Sequence, residues 1–192
     1  MNPRKKFKAV VIGTSAGGFH ALQVILGALP NDFEFPIIIV QHRMASSNAL
    51  PELLNHTTQL RVKEAEDKEP LVAGTVYVAP ADYHLLVEKD GRLQLSEDER
   101  ENFSRPSIDV LFESAADAFG DKLIGVLLTG ASRDGAKGLG KIKAYQGCTI
   151  VQDPRTAEFK VMPQSAIAEL RVDHILPLEE ISNFLKEGLA HA

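Results

Sequence analysis

The sequence lacks the cysteines and the long apolar segments that mark several other classes of protein. It has one cysteine, Cys148, in 192 residues, which excludes an internal disulfide and a cysteine-based metal cluster. No apolar run approaches the roughly 20 residues that a membrane span needs, and the N-terminus lacks the apolar segment and cleavage site of a signal peptide. We therefore expect a cytoplasmic protein that does not insert into a membrane.

An excess of basic residues is also absent. The chain has 21 lysines and arginines against 26 aspartates and glutamates, which gives a formal net charge of -5. Proteins that bind nucleic acid usually carry a basic patch that neutralises phosphates. We therefore expect no nucleic-acid partner.

The residues that are present predict one α/β domain over residues 1–192. Hydrophobic residues make up 44% of the chain, enough to bury one core at this length. Short apolar runs alternate with amphipathic stretches, which is typical of a doubly wound, mostly parallel sheet with helices on both faces. An antiparallel hairpin turning at Asp90-Gly91 within residues 84–95 is expected at the edge of that sheet.

Most elements of this sheet can be located from the pattern. Residues 9–12 and 37–40 are predicted to be central strands, and a helix with Leu22, Ile25 and Leu26 on one face follows the first of them. Further strands are predicted over residues 123–128 and 149–152, and further helices over residues 49–55, 107–119, 163–170 and 179–189, with another that ends at Tyr145. Residues 75–79 are predicted to form a strand that belongs, with the hairpin, to an antiparallel insertion or edge.

Three polar side chains follow apolar runs, at the sheet edge where open α/β folds bind their ligands. Ser15 lies in Gly13-x-Ser15-x-Gly17, where glycines permit a sharp turn that exposes the hydroxyl. A serine hydroxyl needs a base within reach, and His42 ends the second apolar run. The imidazole needs a carboxylate to fix its tautomer, and Asp134 is the candidate. The three residues predict a Ser-His-Asp triad with no metal.

A tetrahedral oxyanion would need backbone N–H donors beside this triad. The N–H of Ala16, directly after the serine, is one candidate. A second donor is expected from the turn over residues 130–132.

A phosphate cradle of a nucleotide-binding fold is the main alternative for the first glycine-rich turn. Two residues count against it. Ser15 replaces the glycine that lets a pyrophosphate approach, and His42 stands where an acidic residue would hold a ribose.

Motifs distributed along the chain carry a family resemblance. They are Ile12-Gly13-Thr14-Ser15-Ala16-Gly17-Gly18, Ile39-Val40-Gln41-His42, Gly74-Thr75-Val76-Tyr77-Val78-Ala79-Pro80, Arg105-Pro106-Ser107-Ile108-Asp109-Val110-Leu111-Phe112, Leu128-Thr129-Gly130, Arg133-Asp134-Gly135-Ala136 and Met162-Pro163. Together, from about Val10 to Leu178, the chain resembles the catalytic domain of the CheB chemotaxis methylesterases.

The resemblance implies hydrolysis of glutamyl methyl esters on a methylated chemoreceptor or similar protein, and deamidation of glutamines in many members. It assigns the nucleophile to Ser15, the base to His42 and the orienting acid to Asp134, and it requires no cofactor. The sequence departs from the family's T-G-M-G-x-D-G pattern at Ala131 and Ser132, although the Ala131 N–H remains a candidate oxyanion donor. A catalytically weak binding module for receptor or signalling partners is therefore the alternative function.

Three further expectations concern residues outside the triad. Chemotaxis members normally carry a phosphorylation-controlled receiver domain, and no receiver domain is predicted within this chain. Ser107 is interpreted as the cap of the helix that follows it. Residues 96–105, which include four acidic residues, are interpreted as a solvated loop.

Overall fold

The computed structural model describes residues 7–42 and 49–190. Within those ranges the chain forms nine strands, six α-helices and one 3₁₀ helix, Gly120–Lys122. The strands are β1 (Ala9–Thr14), β2 (Ile37–Gln41), β3 (Arg61–Glu64), β4 (Thr75–Val78), β5 (His84–Val87), β6 (Leu93–Ser96), β7 (Leu123–Leu127), β8 (Cys148–Gln152) and β9 (His174–Leu176). The helices are α1 (Gly18–Gly27), α2 (Leu50–Asn55), α3 (Ile108–Phe119), α4 (Ala136–Ala144), α5 (Val161–Glu169) and α6 (Leu178–Ala190).

Seven strands form a parallel sheet in the order β3-β4-β2-β1-β7-β8-β9. Its central strands are apolar along their length because both of their faces are covered. In β1, Val10 and Ile12 point into one layer of the core, while Ala9 and Val11 point into the other. The α/β prediction is confirmed.

Helices cover both faces of the sheet, as predicted. Residues of α1 and α6 pack into the layer that contains Val10, and residues of α3, α4 and α5 pack into the layer that contains Val11. No helix among the described residues is both long enough and apolar enough to span a membrane.

The middle of the chain was predicted less well. The antiparallel placement predicted for residues 75–79 is wrong, because β4 is buried and pairs in parallel with β2 inside the main sheet. The predicted hairpin forms from β5 and β6 as a separate antiparallel sheet, and the Val87 N–H donates to Ser114 Oγ of α3 at 3.1 Å. Strands β3 and β9 were not predicted, since β3 is a polar edge strand and β9 has only three residues.

The strand order places the carboxyl ends of β2, β1 and β7 next to one another. After β1 the chain adds strands on one side of it, and after α3 it adds β7, β8 and β9 on the other side. Such a reversal opens a crevice at the carboxyl edge of an α/β sheet. The loops that follow these three strands therefore meet at one site.

Candidate active site

Ser15 lies in the tight turn between β1 and α1. Its N–H donates to the carbonyl oxygen of Thr129 at 3.0 Å, and its carbonyl oxygen accepts from the N–H of Gly18 at 3.0 Å. Gly17 has a φ of 76°, a left-handed conformation that glycine adopts without steric cost. A Cβ on Gly18 would lie 2.5 Å from Thr14 Oγ1. Glycine at these positions permits the turn that presents Ser15.

His42 follows β2 and stands level with Ser15. Thr14 pairs with Gln41 in the parallel ladder, and the His42 N–H donates to the Thr14 carbonyl oxygen at 3.0 Å. The next positions on the two neighbouring strands are therefore Ser15 and His42. Among the described residues, no hydrogen bond engages the Ser15 hydroxyl, so no bond joins it to the imidazole.

Asp134 lies after β7, and its carboxylate meets the imidazole of His42. His42 Nε2 donates to Asp134 Oδ2 at 2.8 Å, and the two side chains are 14% and 0% exposed. The pair is separated by 92 positions in the sequence. Because Nε2 is bound to the carboxylate, Nδ1 is the nitrogen that remains for another partner.

The Asp134 carboxylate is surrounded by donors from described residues. They are His42 Nε2 and the Ile108 N–H at 2.8 and 2.7 Å from Oδ2, and Ser107 Oγ, the Asp109 N–H and Asn102 Nδ2 at 2.9, 3.1 and 3.1 Å from Oδ1. Burial on its own raises a carboxyl pKa, but hydrogen bonds from His42, Ile108 and Asp109 hold the pKa of Asp134 below its ordinary value. Asp134 is therefore a carboxylate suited to orienting an imidazole and stabilising its positive form.

The interpretation of Ser107 as a helix cap was wrong about its hydroxyl. Ser107 occupies the position before α3, but its side chain makes no cap hydrogen bond and donates instead to Asp134. Its N–H donates to His84 Nδ1 at 3.2 Å, and His84 Nε2 donates to the Glu99 carbonyl oxygen at 2.9 Å. The sequence signal that could have revealed this role was the position of Ser107 within the Arg105–Phe112 motif.

The acidic loop over residues 96–105 also contributes to the site, which the solvated-loop interpretation missed. Asn102 Nδ2 donates to Asp109 Oδ2 at 2.8 Å and to Asp134 Oδ1 at 3.1 Å. One amide group thus bridges two buried carboxylates. Local sequence could not indicate this contact, because Asn102 lies among charged, exposed residues.

Asp109 is a second buried carboxyl group behind the first. Its Oδ1 accepts the N–H groups of Gly135 and Gly138 at 3.0 and 2.7 Å. Burial raises the pKa of Asp109 to about 6, and the charge of Asp134 adds to the rise against the opposing hydrogen bond from Gly138. Asp109 therefore fastens the turn that carries Asp134 to the first turn of α3.

Thr129 connects the serine turn to the loop after β7. Its carbonyl oxygen accepts from the Ser15 N–H at 3.0 Å and from Thr14 Oγ1 at 2.9 Å. Its hydroxyl donates to the Ala16 carbonyl oxygen at 3.0 Å and accepts from the Phe159 N–H at 2.9 Å. These contacts hold the two loops together beside the Ser15 hydroxyl.

The predicted oxyanion donors lie in these two loops. Neither the Ala16 nor the Ala131 N–H donates to another residue within the described ranges. Gly130 is fixed by its N–H to Phe159 O at 3.1 Å and by its carbonyl to Met162 N at 3.0 Å. Ser132 Oγ is buried and has no hydrogen-bond partner in the described part of the chain.

No group of three or more histidine, cysteine, aspartate or glutamate side chains among the described residues is arranged to hold a metal ion. The polar groups of the site are instead arranged as hydrogen-bond donors and acceptors around Asp134.

Comparison with known proteins decides the family. The family model of the CheB methylesterases matches residues 10–185. This chain belongs to the CheB methylesterase family. It is thus a member of an esterase family, as the sequence motifs predicted, and the nucleotide-binding alternative is set aside.

Individual members of the CheB family match over nearly the whole chain. A Leptospira interrogans relative is 54% identical over 177 residues, which cover 92% of each chain. The protein-glutamate methylesterase/protein-glutamine glutaminase of Thermotoga maritima is 40% identical over 96% of this chain and 55% of its own length. The crystal structure of the Thermotoga maritima CheB methylesterase catalytic domain superposes with a TM-score of 0.90 at 39% identity, covering 94% of this chain and 98% of that one.

A Myxococcus xanthus relative also matches this chain over about half of its own length. The protein-glutamate methylesterase FrzG is 39% identical over 96% of this chain and 56% of its own length. The chain therefore spans nearly all of the Leptospira relative and about half of the other two proteins.

Proposed function

We propose that this chain hydrolyses glutamyl methyl esters on a methylated chemoreceptor or similar protein, with Ser15 as nucleophile, His42 as base and Asp134 as orienting acid. The observation that carries the proposal is the 2.8 Å hydrogen bond between His42 Nε2 and Asp134 Oδ2, beside Ser15 at the carboxyl edge of the sheet. The names of the Thermotoga and Myxococcus relatives support the reaction and a protein substrate.

The proposed reaction proceeds through an acyl-enzyme. Ser15 Oγ attacks the ester carbonyl carbon while His42 Nδ1 takes the hydroxyl proton, and Asp134 stabilises the imidazolium through Nε2–H. The proton then passes to the methoxide leaving group, so methanol departs. Water, deprotonated by the same imidazole, attacks the acyl-enzyme and releases glutamate and free Ser15.

The tetrahedral intermediates carry negative charge on the former carbonyl oxygen. We propose the N–H groups of Ala16 and Ala131 as donors to that oxygen, since neither is used by another described residue. Removal of one such donor typically costs about 3–4 kcal/mol of transition-state stabilisation. The same scheme applied to a glutamine amide would release ammonia.

We further propose that residues 1–192 act as one catalytic domain in the cytoplasm. The chemistry needs a nucleophile, a base and an acid, so the proposal includes no cofactor.

Methanol release from a methylated receptor tests this function. Wild type should release methanol and Ser15→Ala should reduce the rate to background, while Ser165→Ala, which removes an exposed hydroxyl of α5 bonded to Val161 O, should leave it unchanged. Equal release from wild type and Ser15→Ala would rule the proposal out.

The alternative of a weak binding module is motivated by the hydroxyl of Ser132 in the predicted oxyanion turn, which has no hydrogen-bond partner among the described residues. A serine-directed phosphonate distinguishes the two functions. Stoichiometric labelling of Ser15 supports the esterase, whereas receptor binding without labelling or methanol release would favour the binding module.

A further inference from the structure

A groove opens beside His42 on the side of the acidic loop. Its lining residues are His42, Arg100, Phe103, Ser104, Arg105 and Pro106. The base of the proposed triad therefore shares a surface with residues that the reaction scheme does not use.

A tight turn forms one wall of the groove. Glu101 and Ser104 exchange two backbone hydrogen bonds, of 3.1 and 2.9 Å. The two residues between them, Asn102 and Phe103, have φ values of 51° and 62°. Positive φ at both positions is the pattern of a turn that favours Asn followed by Gly. Phe103 thus occupies a position where an aromatic residue is sterically disfavoured.

The turn is fixed to the proposed catalytic machinery by its first central residue. Asn102 Nδ2 donates to Asp109 Oδ2 and to Asp134 Oδ1. Both acceptors are buried, so the amide is held from inside the protein. These two hydrogen bonds fix the position of the turn beside His42.

The second central residue points away from the protein. Phe103 is 97% exposed, so its ring has almost no packing within the chain. The chain thus places an aromatic ring at an unfavourable backbone position without covering it. Exposed aromatic side chains are a typical source of binding energy in protein recognition, because a partner buries a large, rigid apolar surface against them.

We propose that Phe103 is a docking residue for the protein substrate, held at the entrance to the active site by Asn102 as a positioning residue. The inference rests on the function proposed above, because it names the methylated protein as the molecule that covers the ring. Apolar side chains beside the esterified glutamate of the substrate would pack on Phe103 while the ester carbonyl group reaches Ser15. A small ester such as p-nitrophenyl acetate lacks these neighbouring side chains.

Steady-state kinetics on two substrates test the docking role. For Phe103→Ala the KM on methylated receptor should rise about tenfold, as expected for loss of an aromatic anchor, with kcat changed less than about twofold. Hydrolysis of p-nitrophenyl acetate should not change. Phe103→Leu should recover most of the affinity because it keeps an apolar side chain.

Tyr145→Ala is the matched control, since Tyr145 is an exposed aromatic residue at the C-terminal end of α4, at the opposite edge of the sheet. It should change neither substrate's kinetics. An unchanged KM in Phe103→Ala, with methanol release intact in wild type, would overturn the docking role alone. Wild type that cleaves p-nitrophenyl acetate but releases no methanol would overturn the proposed function and the named substrate together.

Asn102→Gly tests the positioning role, because glycine keeps the turn's positive φ while removing the amide. The KM on receptor should rise as in Phe103→Ala, and kcat should fall on both substrates because Asp134 loses a donor. A KM on receptor equal to that of wild type would show that the anchor does not position Phe103.

Discussion

The backbone N–H of Asp109 donates to Asp134 Oδ1 at 3.1 Å, which brings two buried aspartates together beneath the candidate active site. The bridging amide of Asn102 makes the same link from the opposite loop. The proposed triad acid therefore belongs to a connected polar cluster within the apolar core. Leaving a buried polar group without a hydrogen-bond partner costs free energy. Substitutions in this cluster should therefore change both stability and activity.

Asp109→Asn should change how stability depends on pH. Burial raises the pKa of Asp109 to about 6 from an ordinary 3.8, so between these values the folded state binds more protons than the unfolded state. The contribution of Asp109 to stability is thus full below about pH 4 and is lost as the pH rises through about 6. From pH 4 to 7 the free energy of unfolding of the variant should rise relative to wild type by about 1–3 kcal/mol.

Urea unfolding at several pH values measures this difference. Asp117→Asn is the control on the same helix: a hydrogen bond from Lys141 lowers the pKa of Asp117, so that contribution is present above about pH 4 and lost only below it. Its difference from wild type should stay constant from pH 4 to 7. Parallel curves for Asp109→Asn and wild type would contradict the prediction.

Asp134→Asn should remove most of the esterase activity. An asparagine cannot accept the full set of hydrogen bonds around Asp134, and its NH₂ group would face donors such as the Ile108 N–H. It also favours the wrong imidazole tautomer, which in serine hydrolase triads costs about 10⁴ in kcat. The rate of p-nitrophenyl acetate hydrolysis measures the loss.

Asp153→Asn is the control for Asp134→Asn. Asp153 follows β8 at the same edge of the sheet but bonds Arg155, so its variant should retain activity within about threefold. Comparable losses in the two variants would count against a specific role for Asp134.

Ser107→Ala should weaken the site without abolishing it. Its hydroxyl is one of several donors to Asp134, and a hydrogen bond to a charged group contributes about 1.5–3 kcal/mol. We expect a loss of stability in that range and a several-fold fall in kcat. Ser182→Ala removes an equally buried hydroxyl, bonded to the Leu178 carbonyl oxygen, and should reduce stability but not kcat. Unchanged kcat in Ser107→Ala would exclude its support of Asp134.

Gly130→Ala should impair catalysis by displacing the proposed oxyanion turn. A Cβ there would lie 2.6 Å from Met162 Cε and 3.0 Å from Ser15 Cβ, so the turn or the serine must move. We expect kcat to fall by about tenfold or more, since oxyanion donors act through exact placement. Gly140→Ala has open space around the new Cβ and should raise stability by about 0.5–1 kcal/mol in the helix interior. Full activity in Gly130→Ala would argue against this turn as the oxyanion site.

The central sheet could be predicted from sequence because its strands are buried on both faces. A run such as Ile37–Val40 is compatible with few other structures, and the polar residue after it is then placed at the carboxyl edge. The same rule located Ser15, His42 and Asp134 as candidates. Strand β3 was not predicted, because a strand at the edge of a sheet does not need a continuous apolar run.

The surroundings of Asp134 depended on contacts between distant segments. Ser107 has the local pattern of a helix cap, and Asn102 lies in a strongly charged loop, so neighbouring residues gave no sign of a buried partner. Both meet Asp134 because α3 begins beneath the loop after β7. The hydroxyl of Ser107 then bonds a carboxylate with a full charge in preference to a helix N–H.

The apolar runs are enough to predict the central strands and the residues at their ends, since a strand buried on both faces is apolar along its length. Its motifs also identified the family. The folded structure was needed to show which side chains surround the Asp134 carboxylate, that Asp109 lies behind it, and that Phe103 is exposed beside His42. These features depend on loops that are far apart in the chain. A buried carboxylate bonds the donors that lie near it in the folded structure, whatever their positions in the sequence.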